Sequence, residues 1–419
     1  MEIGSRIRFF RIQNNMTQEE LAQEIISISY LSKIENNQTS ASIEVLELLC
    51  NRLGIKLIES EEYEQLKELY DWYHLMVARK REQAITFYES YECKNTNDSR
   101  VAIFFVLFEL RYFIFLKQLS KAEEQIKKIE LYKDIFDIRM NYFYEKIVGQ
   151  FYYFKSKFSV AMEHFKIAEE ILTSSVHFEG WETADLYYYK GLNNNRMGKL
   201  ALSIVYIQKA LAIYQSLYDL KRSAECQILL GICYEKIDEF EMAEENYMLA
   251  TKLAEGINDQ SLLGLIYHNQ GVLNSKLGKS NEAIAQFLSS LENKEEDMVI
   301  GRLRSIHGLI EEYYKIQDYD SCRNWLIDGF TMLEKHQDLP DFKIHFIYYD
   351  YLLQKSENLS KFIEKDALPY FEGIGHHLLV AYYAEKLGKI YQENHKYKLA
   401  SYYFSKAFSA LKEHSHLNQ

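Results

Sequence analysis

Residues Gly231, Tyr234, Ala243, Tyr247 and Ala250 stand at offsets of 0, 3, 12, 16 and 19, and the same offsets recur along most of the chain. Gly149, Tyr152, Ala161, Phe165 and Ala168 match at every position, as do Gly388, Tyr391, Ala400, Phe404 and Ala407. Gly191, Asn194, Ser203, Ile207 and Ala210 follow closely, and so do Gly271, Asn274, Ala283, Phe287 and Ser290. Weaker copies begin at Trp72, Leu110, Ile310 and Tyr348. The nine first positions, 72, 110, 149, 191, 231, 271, 310, 348 and 388, are separated by 38, 39, 42, 40, 40, 39, 38 and 40 residues. Such a repeat constrains the fold strongly, because each unit need bury only its neighbours and chain length no longer limits the core. The offsets describe two antiparallel helices, with small residues where the backbones cross and aromatic rings filling the gaps beside them.

These are the offsets of a tetratricopeptide hairpin, whose usual period is about 34 residues, so the longer period here implies longer helices. The fold class expected is all-α: nine hairpins over residues 72–414, wound into a right-handed superhelical array behind a separate N-terminal domain. Two prolines, Pro340 and Pro369, in 419 residues agree with helix throughout, since proline inside a helix costs about 3 kcal/mol. The bulky groups that fill such an array are abundant, 34 Tyr and 24 Phe.

Residues 1–58 do not follow the template and read as short helices. Ile3, Ile7 and Phe10 form one apolar stripe, with Arg6, Arg8 and Arg11 on other faces. Thr17, Gln18, Glu19 and Glu20 make a capping box, in which the Thr17 hydroxyl caps the helix and Glu20 reaches back to the Thr17 amide. Leu21, Ala22 and Ile25 follow as its buried face; a third helix runs through Tyr30, Leu31, Lys33 and Ile34, and a fourth, starting near Ser42, ends at Gly54. A short helix, a tight turn and a second helix with polar groups outward is the arrangement that seats a recognition helix in the major groove. Residues 59–71, acidic and helical in pattern, read as a stiff connection to the repeats.

The segment from Met16 to Gln38 resembles the helix-turn-helix domains of the phage-repressor and xenobiotic-response-element family. The resemblance implies that Gln18 anchors to phosphate and that Ser29, Tyr30 and Lys33 meet bases; the local charges of Arg6, Arg8, Arg11 and Lys33 are read separately, as the cations on which binding would rely. Ile26 stands where that family's turn usually has Gly, and Ala41 where Pro is frequent. A net charge of -12 argues against coating of nucleic acid by the whole molecule and leaves DNA binding to this local surface.

Signatures of catalysis are missing. Gly278-Lys279-Ser280 looks like the end of a phosphate-binding loop, yet Leu273 occupies the place of the required first Gly. No GxSxG or HExxH motif occurs, and the five cysteines form no metal-ligand spacing. The expectation is therefore a protein that is not an enzyme and holds no metal or cofactor, in a reducing cytoplasm, with no span long and apolar enough for a membrane. His268, His307 and His345 share one position in three successive units, which places them along one face rather than at one metal.

First helices of such hairpins line a concave channel. Asn194, Asn195 and Asn269 are candidates there for pairing with an extended peptide backbone, because a carboxamide donates and accepts together. His268 shares that face, and Arg111 with Lys146 could meet a peptide carboxylate. A helix-turn-helix joined directly to nine long hairpins resembles the peptide-sensing quorum regulators of Gram-positive bacteria, the Rap, NprR, PlcR and PrgX type, and within it the neutral-protease regulators. The resemblance implies a cytoplasmic transcriptional regulator that binds operator DNA as a homodimer or higher oligomer and is controlled by a short signalling peptide. Alternatives of the same type are a peptide-inhibited binder of a phosphorelay response regulator, acting on sporulation, and a prophage lysogeny receptor.

Overall fold

The computed structural model describes residues 3–36, 38–39, 41–55, 62–91, 98–173, 178–336 and 339–417. Its described residues are helical throughout. Four helices come first: α1 (Ile3–Gln13), α2 (Gln18–Ala22), α3 (Ile28–Glu35) and α4 (Ile43–Leu53). The capping box forms as the sequence predicts. Glu20 N–H donates to Thr17 Oγ1 at 3.1 Å, and Thr17 N–H donates to Glu20 Oε2 at 2.6 Å. Ser27 caps α3 by accepting from Tyr30 N–H at 3.3 Å, and Gly54 ends α4 at φ 72°. The left-handed turn between α2 and α3 falls on Glu24, φ 59°, rather than at Ile26. A glutamate in that region lacks the freedom of glycine, which is why the expected turn signature is absent.

Nine helical pairs follow, α5 (Glu62–Val77) with α6 (Arg81–Ser90), α7 (Ser99–Phe115) with α8 (Leu119–Glu130), and α9 (Ile138–Phe154) with α10 (Phe158–Leu172). Next come α11 (Gly180–Arg196) with α12 (Leu200–Ser216), α13 (Leu220–Lys236) with α14 (Phe240–Gly256), and α15 (Gln260–Lys276) with α16 (Ser280–Glu292). Then α17 (Val299–Lys315) pairs with α18 (Tyr319–Lys335), α19 (Pro340–Leu353) with α20 (Leu359–Phe362) and α21 (Leu368–Gly373), and α22 (His377–Glu393) with α23 (Tyr397–Leu417). Of residues 59–71, read from the sequence as a connection, 62–71 form the first part of α5 and 59–61 lie outside the described residues. Helices of 17 residues, such as α13 and α14, account for the long period.

Nine left-handed residues fix the register. Arg79, Lys117, Ser156, Gly198, Asp238, Gly278, Gln317, Lys355 and His395 each take positive φ, each seven places after the first position of its hairpin. Gly278, with its neighbours Lys279 and Ser280, is thus a hairpin turn at φ 72°.

The crossing points are as tight as the small residues predict. A Cβ on Gly149 would lie 2.5 Å from the Phe165 ring, on Gly231 2.4 Å from Tyr247, on Gly271 2.6 Å from Phe287 and on Gly388 2.7 Å from Phe404. Tyr247 cannot swing aside, because its ring is fully buried and its hydroxyl donates to Glu235 Oε2 at 3.1 Å. Gly231→Ala is therefore expected to destabilise by about 1–3 kcal/mol through overpacking. Gly256→Ala, at a site with nothing within 4 Å, should act with the opposite sign through helix propensity. Urea midpoints of the two variants decide it; a Gly231→Ala midpoint at or above the wild-type value would refute the crossing argument.

The eighth hairpin departs from the template. Its second helix is interrupted by a π-helical turn, Ile363–Ala367, just ahead of Pro369. Proline has no N–H to give to the carbonyl four residues back, and a wider turn absorbs the mismatch. The chain divides into two compact units, residues 1–193 and 194–419. Cys50, Cys226, Cys233 and Cys322 are buried free thiols. No described helix is long and apolar enough to cross a membrane.

Candidate functional site

In the first unit, α3 presents Ser29 and Lys33 to solvent and Tyr30 half-buried, while Leu31 and Ile34 are 0% and 2% exposed on the inner face. Gln18 is half-buried, and its carboxamide donates to Glu35 Oε2 at 2.7 Å. The Glu35 carboxylate, 1% exposed, also takes both ends of the Arg11 guanidinium, at 2.6 and 3.0 Å. This bidentate pair ties α1 to α3 and sets the angle at which α3 is held. Arg8 forms an ion pair with Asp134, in the connection between α8 and α9, and its Nη1 donates to Asn36 Oδ1 at 3.4 Å. The buried ring of Phe9 meets Tyr132 edge-on at 4.9 Å. The helix-turn-helix is thus seated on the repeats through α1, and the exposed residues of α3 lie on another face.

Two of the peptide-site candidates fall in the same unit and are buried. Lys146 is 0% exposed, pairs with Asp185 at 3.0 Å and donates to the Glu182 carbonyl at 3.1 Å. Burial lowers its pKa, against the pull of Asp185. The carboxylate that Lys146 meets therefore belongs to its own chain. Arg111, 1% exposed, lies over the rings of Phe115 and Tyr189 at 5.8 and 5.9 Å, its Nη2 3.4 Å from the Tyr189 hydroxyl. Its Nε has no hydrogen-bond partner among the described residues.

The other candidates lie in the second unit. Asn194 is 2% exposed. Asn195, 7% exposed, donates to Cys233 Sγ at 3.0 Å and accepts from Lys236 Nζ at 2.8 Å. A cleft of about 950 Å³ runs along the first helices of the sixth to eighth hairpins. α15 gives it His268, Val272, Ser275 and Lys276, whose spacing marks one helix face. Asn269 stands one residue round from that face, outside the cleft lining, and its Nδ2 donates to the Leu265 carbonyl at 3.0 Å. α17 contributes Ile300, Arg304, His307, Glu311 and Lys315, which the sequence reading did not single out apart from His307. Their spacing along α17 was the signal available.

His307 and His345, expected along one face, are in direct contact, with their rings 4.7 Å apart. First helices of neighbouring hairpins run side by side, so equal positions touch. His345 Nδ1 shares a hydrogen bond with the Tyr383 hydroxyl at 2.7 Å, and His268 Nδ1 one with Ser305 Oγ at 3.1 Å. Burial pushes both His268 and His345 down to about 3, so each is neutral at physiological pH. Lys294 is 7% exposed and donates to the Gly301 carbonyl and Ser305 Oγ, both at 2.9 Å; burial brings it down to about 8. No group of three or more His, Cys, Asp or Glu side chains placed to hold a metal occurs among the described residues.

Two family models match the chain, helix-turn-helix over residues 7–60 and tetratricopeptide repeat over residues 182–256. The transcriptional activator NprA of Geobacillus stearothermophilus is 41% identical over 404 residues, covering 94% of this chain and 99% of that protein. Among solved structures, the apo form of the quorum sensor NprR from B. thuringiensis superposes with a TM-score of 0.70 at 19% identity, over 84% of this chain and 100% of that one. NprR in complex with its cognate peptide NprX gives 0.64 at 18% identity, over 84% and 100%.

The expectation that the chain is not an enzyme is overturned by further relatives. Response regulator aspartate phosphatases A, J and I of Bacillus subtilis (strain 168) are 22%, 24% and 24% identical over 67%, 61% and 65% of this chain, and 78%, 71% and 72% of their own lengths. That expectation rested on missing contiguous motifs. Side chains gathered from separate helices of an array leave no such signature.

Proposed function

We propose, because this chain belongs to the Rap/NprR/PlcR-type family of quorum-sensing regulators with a helix-turn-helix and tetratricopeptide-like repeats, that it is a cytoplasmic, peptide-gated transcriptional regulator. Operator DNA is met by α3 through Ser29, Tyr30 and Lys33, with Gln18 on the flanking backbone; Arg8, paired with Asp134, holds the domain on the repeats instead. A short linear peptide occupies the repeat groove and changes DNA affinity and oligomeric state. The observation that carries this reading is an uncovered recognition helix in a chain that also holds a cleft of about 950 Å³, within the usual span of ligand sites, about 300–1,000 Å³. Asn194, Asn195, His268 and Asn269, all in the second unit, remain the residues proposed to act on the peptide, directly or through neighbours; Arg111 and Lys146, buried in the first unit, are not among them.

One recognition helix reads only a few base pairs, so the operator-bound form is at least a dimer on half-sites about 34 Å apart or a multiple of that. Support for self-association comes from α23, where Tyr397, Tyr402 and Phe408 are 63%, 59% and 71% exposed. Operator duplexes and heptapeptides selected from random pools supply the test. The selected peptide should change operator affinity by about 5–150-fold, read by fluorescence anisotropy, and alter the sedimentation coefficient. A peptide that binds the repeats and leaves both unchanged removes the gating. A second reading, action on a phosphorylated response regulator, is favoured by the aspartate phosphatases among the relatives; faster loss of phosphate from such a partner in the presence of this protein would establish it.

A further inference from the structure

Four successive first helices of the second unit carry a cation at the same place: Arg196, Lys236, Lys276 and Lys315, spaced 40, 40 and 39 residues apart. All four are exposed. Three of them are already occupied by their own chain. Lys236 Nζ donates to Asn195 Oδ1 at 2.8 Å, Lys276 pairs with Glu235 at 2.9 Å, and Lys315 pairs with Glu312 at 2.6 Å while donating to Ser275 Oγ at 2.9 Å. Each cation therefore reaches back to the preceding hairpin, and the ladder satisfies itself. Arg196 has no hydrogen bond or ion pair among the described residues.

Arg304 is the second cation left over. It lies on the cleft face of α17, exposed, with neither a carboxylate nor any other hydrogen-bond partner among the described residues. Of the acids in and beside the cleft, Glu235 pairs with Lys276, Glu311 and Glu312 pair with Lys315, and Asp341 accepts from the Tyr370 hydroxyl at 2.6 Å. No carboxylate among the described residues pairs with Arg304, and the pKa shifts around it run in the direction that cations crowding one another produce. Burial and then Arg304 lower Lys294, and burial, Lys294 and Arg304 lower His268. Positive groups that crowd one another in a concave wall are relieved by an anion, and a guanidinium presents parallel N–H donors that match the two oxygens of a carboxylate.

We propose that Arg304 receives a carboxylate of the bound peptide, so that the cleft selects peptides bearing an acidic side chain or a free C-terminus at that point. The inference rests on the reading of the repeat groove as a peptide receptor and goes beyond it by naming the recognised group. The cleft lining also offers the apolar surfaces of Phe342, Tyr370 and Leu379, so a hydrophobic peptide side chain can share the cleft with the carboxylate.

Affinity selection tests it. Immobilised full-length protein and its Arg304→Gln variant are each offered three pools of N-acetylated heptapeptides, and retained peptides are read by mass spectrometry. One pool has a single Asp and an amidated C-terminus, the second no acidic residue and a free C-terminal carboxylate, the third neither. Wild type should enrich the first or the second pool over the third by about tenfold or more, which also identifies the source of the carboxylate. Arg304→Gln, whose melting temperature should be unchanged because the side chain is exposed, should retain peptides without that preference. Retention by wild type with no preference, or a preference that survives in Arg304→Gln, overturns the carboxylate site and leaves the peptide receptor standing. No retention of any pool by either protein overturns both.

Discussion

Replacing Ser29 and Lys33 together by alanine should bring operator binding down to the level of random DNA without lowering thermal stability. Both side chains are exposed on α3, whereas the residues that hold this helix in place, Leu31 and Ile34, are buried and untouched. The N-cap on Ser27 is also unaffected. Good base contacts are each worth about 1–3 kcal/mol of discrimination, and specific binding commonly exceeds non-specific binding by about 10³-fold or more. Loss of two contacts should thus cost about 10²- to 10³-fold in affinity for the selected duplex. If Lys33 meets phosphate rather than base, the salt slope falls by about one unit; if it meets a base, sequence preference relaxes. Anisotropy titrations at two salt concentrations separate these outcomes, and wild-type affinity in the double variant would take α3 out of the recognition role.

The architecture was legible because the period-defining residues are those on which packing depends. Gly231 must be small because Tyr247 lies on it, and the same offset recurs hairpin after hairpin. The turns were far less visible, since seven of the nine left-handed positions carry residues as unlike as Arg79, Ser156 and His395. What sets φ there is the closure of two long packed helices, and the local sequence need only tolerate it. Lys146 was misjudged for a related reason: its partner Asp185 sits on the first helix of the next hairpin, and a template for one repeat contains no information on pairs between repeats. The same blindness hid the ladder of Lys236, Lys276 and Lys315. Asn269 shows how narrow the margin is on a helix, because His268 lines the cleft and the next residue does not.

Neutral histidines in the cleft make stability fall on mild acidification. His268 and His345 have folded values of about 3, burial being the main cause, and His307 is lowered for the same reason. In the unfolded chain an imidazole titrates near 6.5. Below that pH the unfolded state takes up protons that the folded state refuses, so stability declines by about 1.4 kcal/mol per pH unit for each such histidine. From pH 6.5 to pH 5 the two most shifted groups together should cost about 3 kcal/mol, a large part of the stability of an ordinary domain, about 5–15 kcal/mol. His345→Gln removes one of the two. It also disturbs the hydrogen bond to the Tyr383 hydroxyl, so its stability at pH 7.5 drops by about 1 kcal/mol, and the informative quantity is the slope rather than the level. Urea midpoints at pH 7.5, 6.5 and 5.5 should show the variant losing about 1.4 kcal/mol less stability than wild type over that range. Carboxylates titrate alike in both proteins and cancel in the difference; parallel pH profiles would mean that His345 is protonated in the folded state and that the cleft is wetter than its geometry indicates.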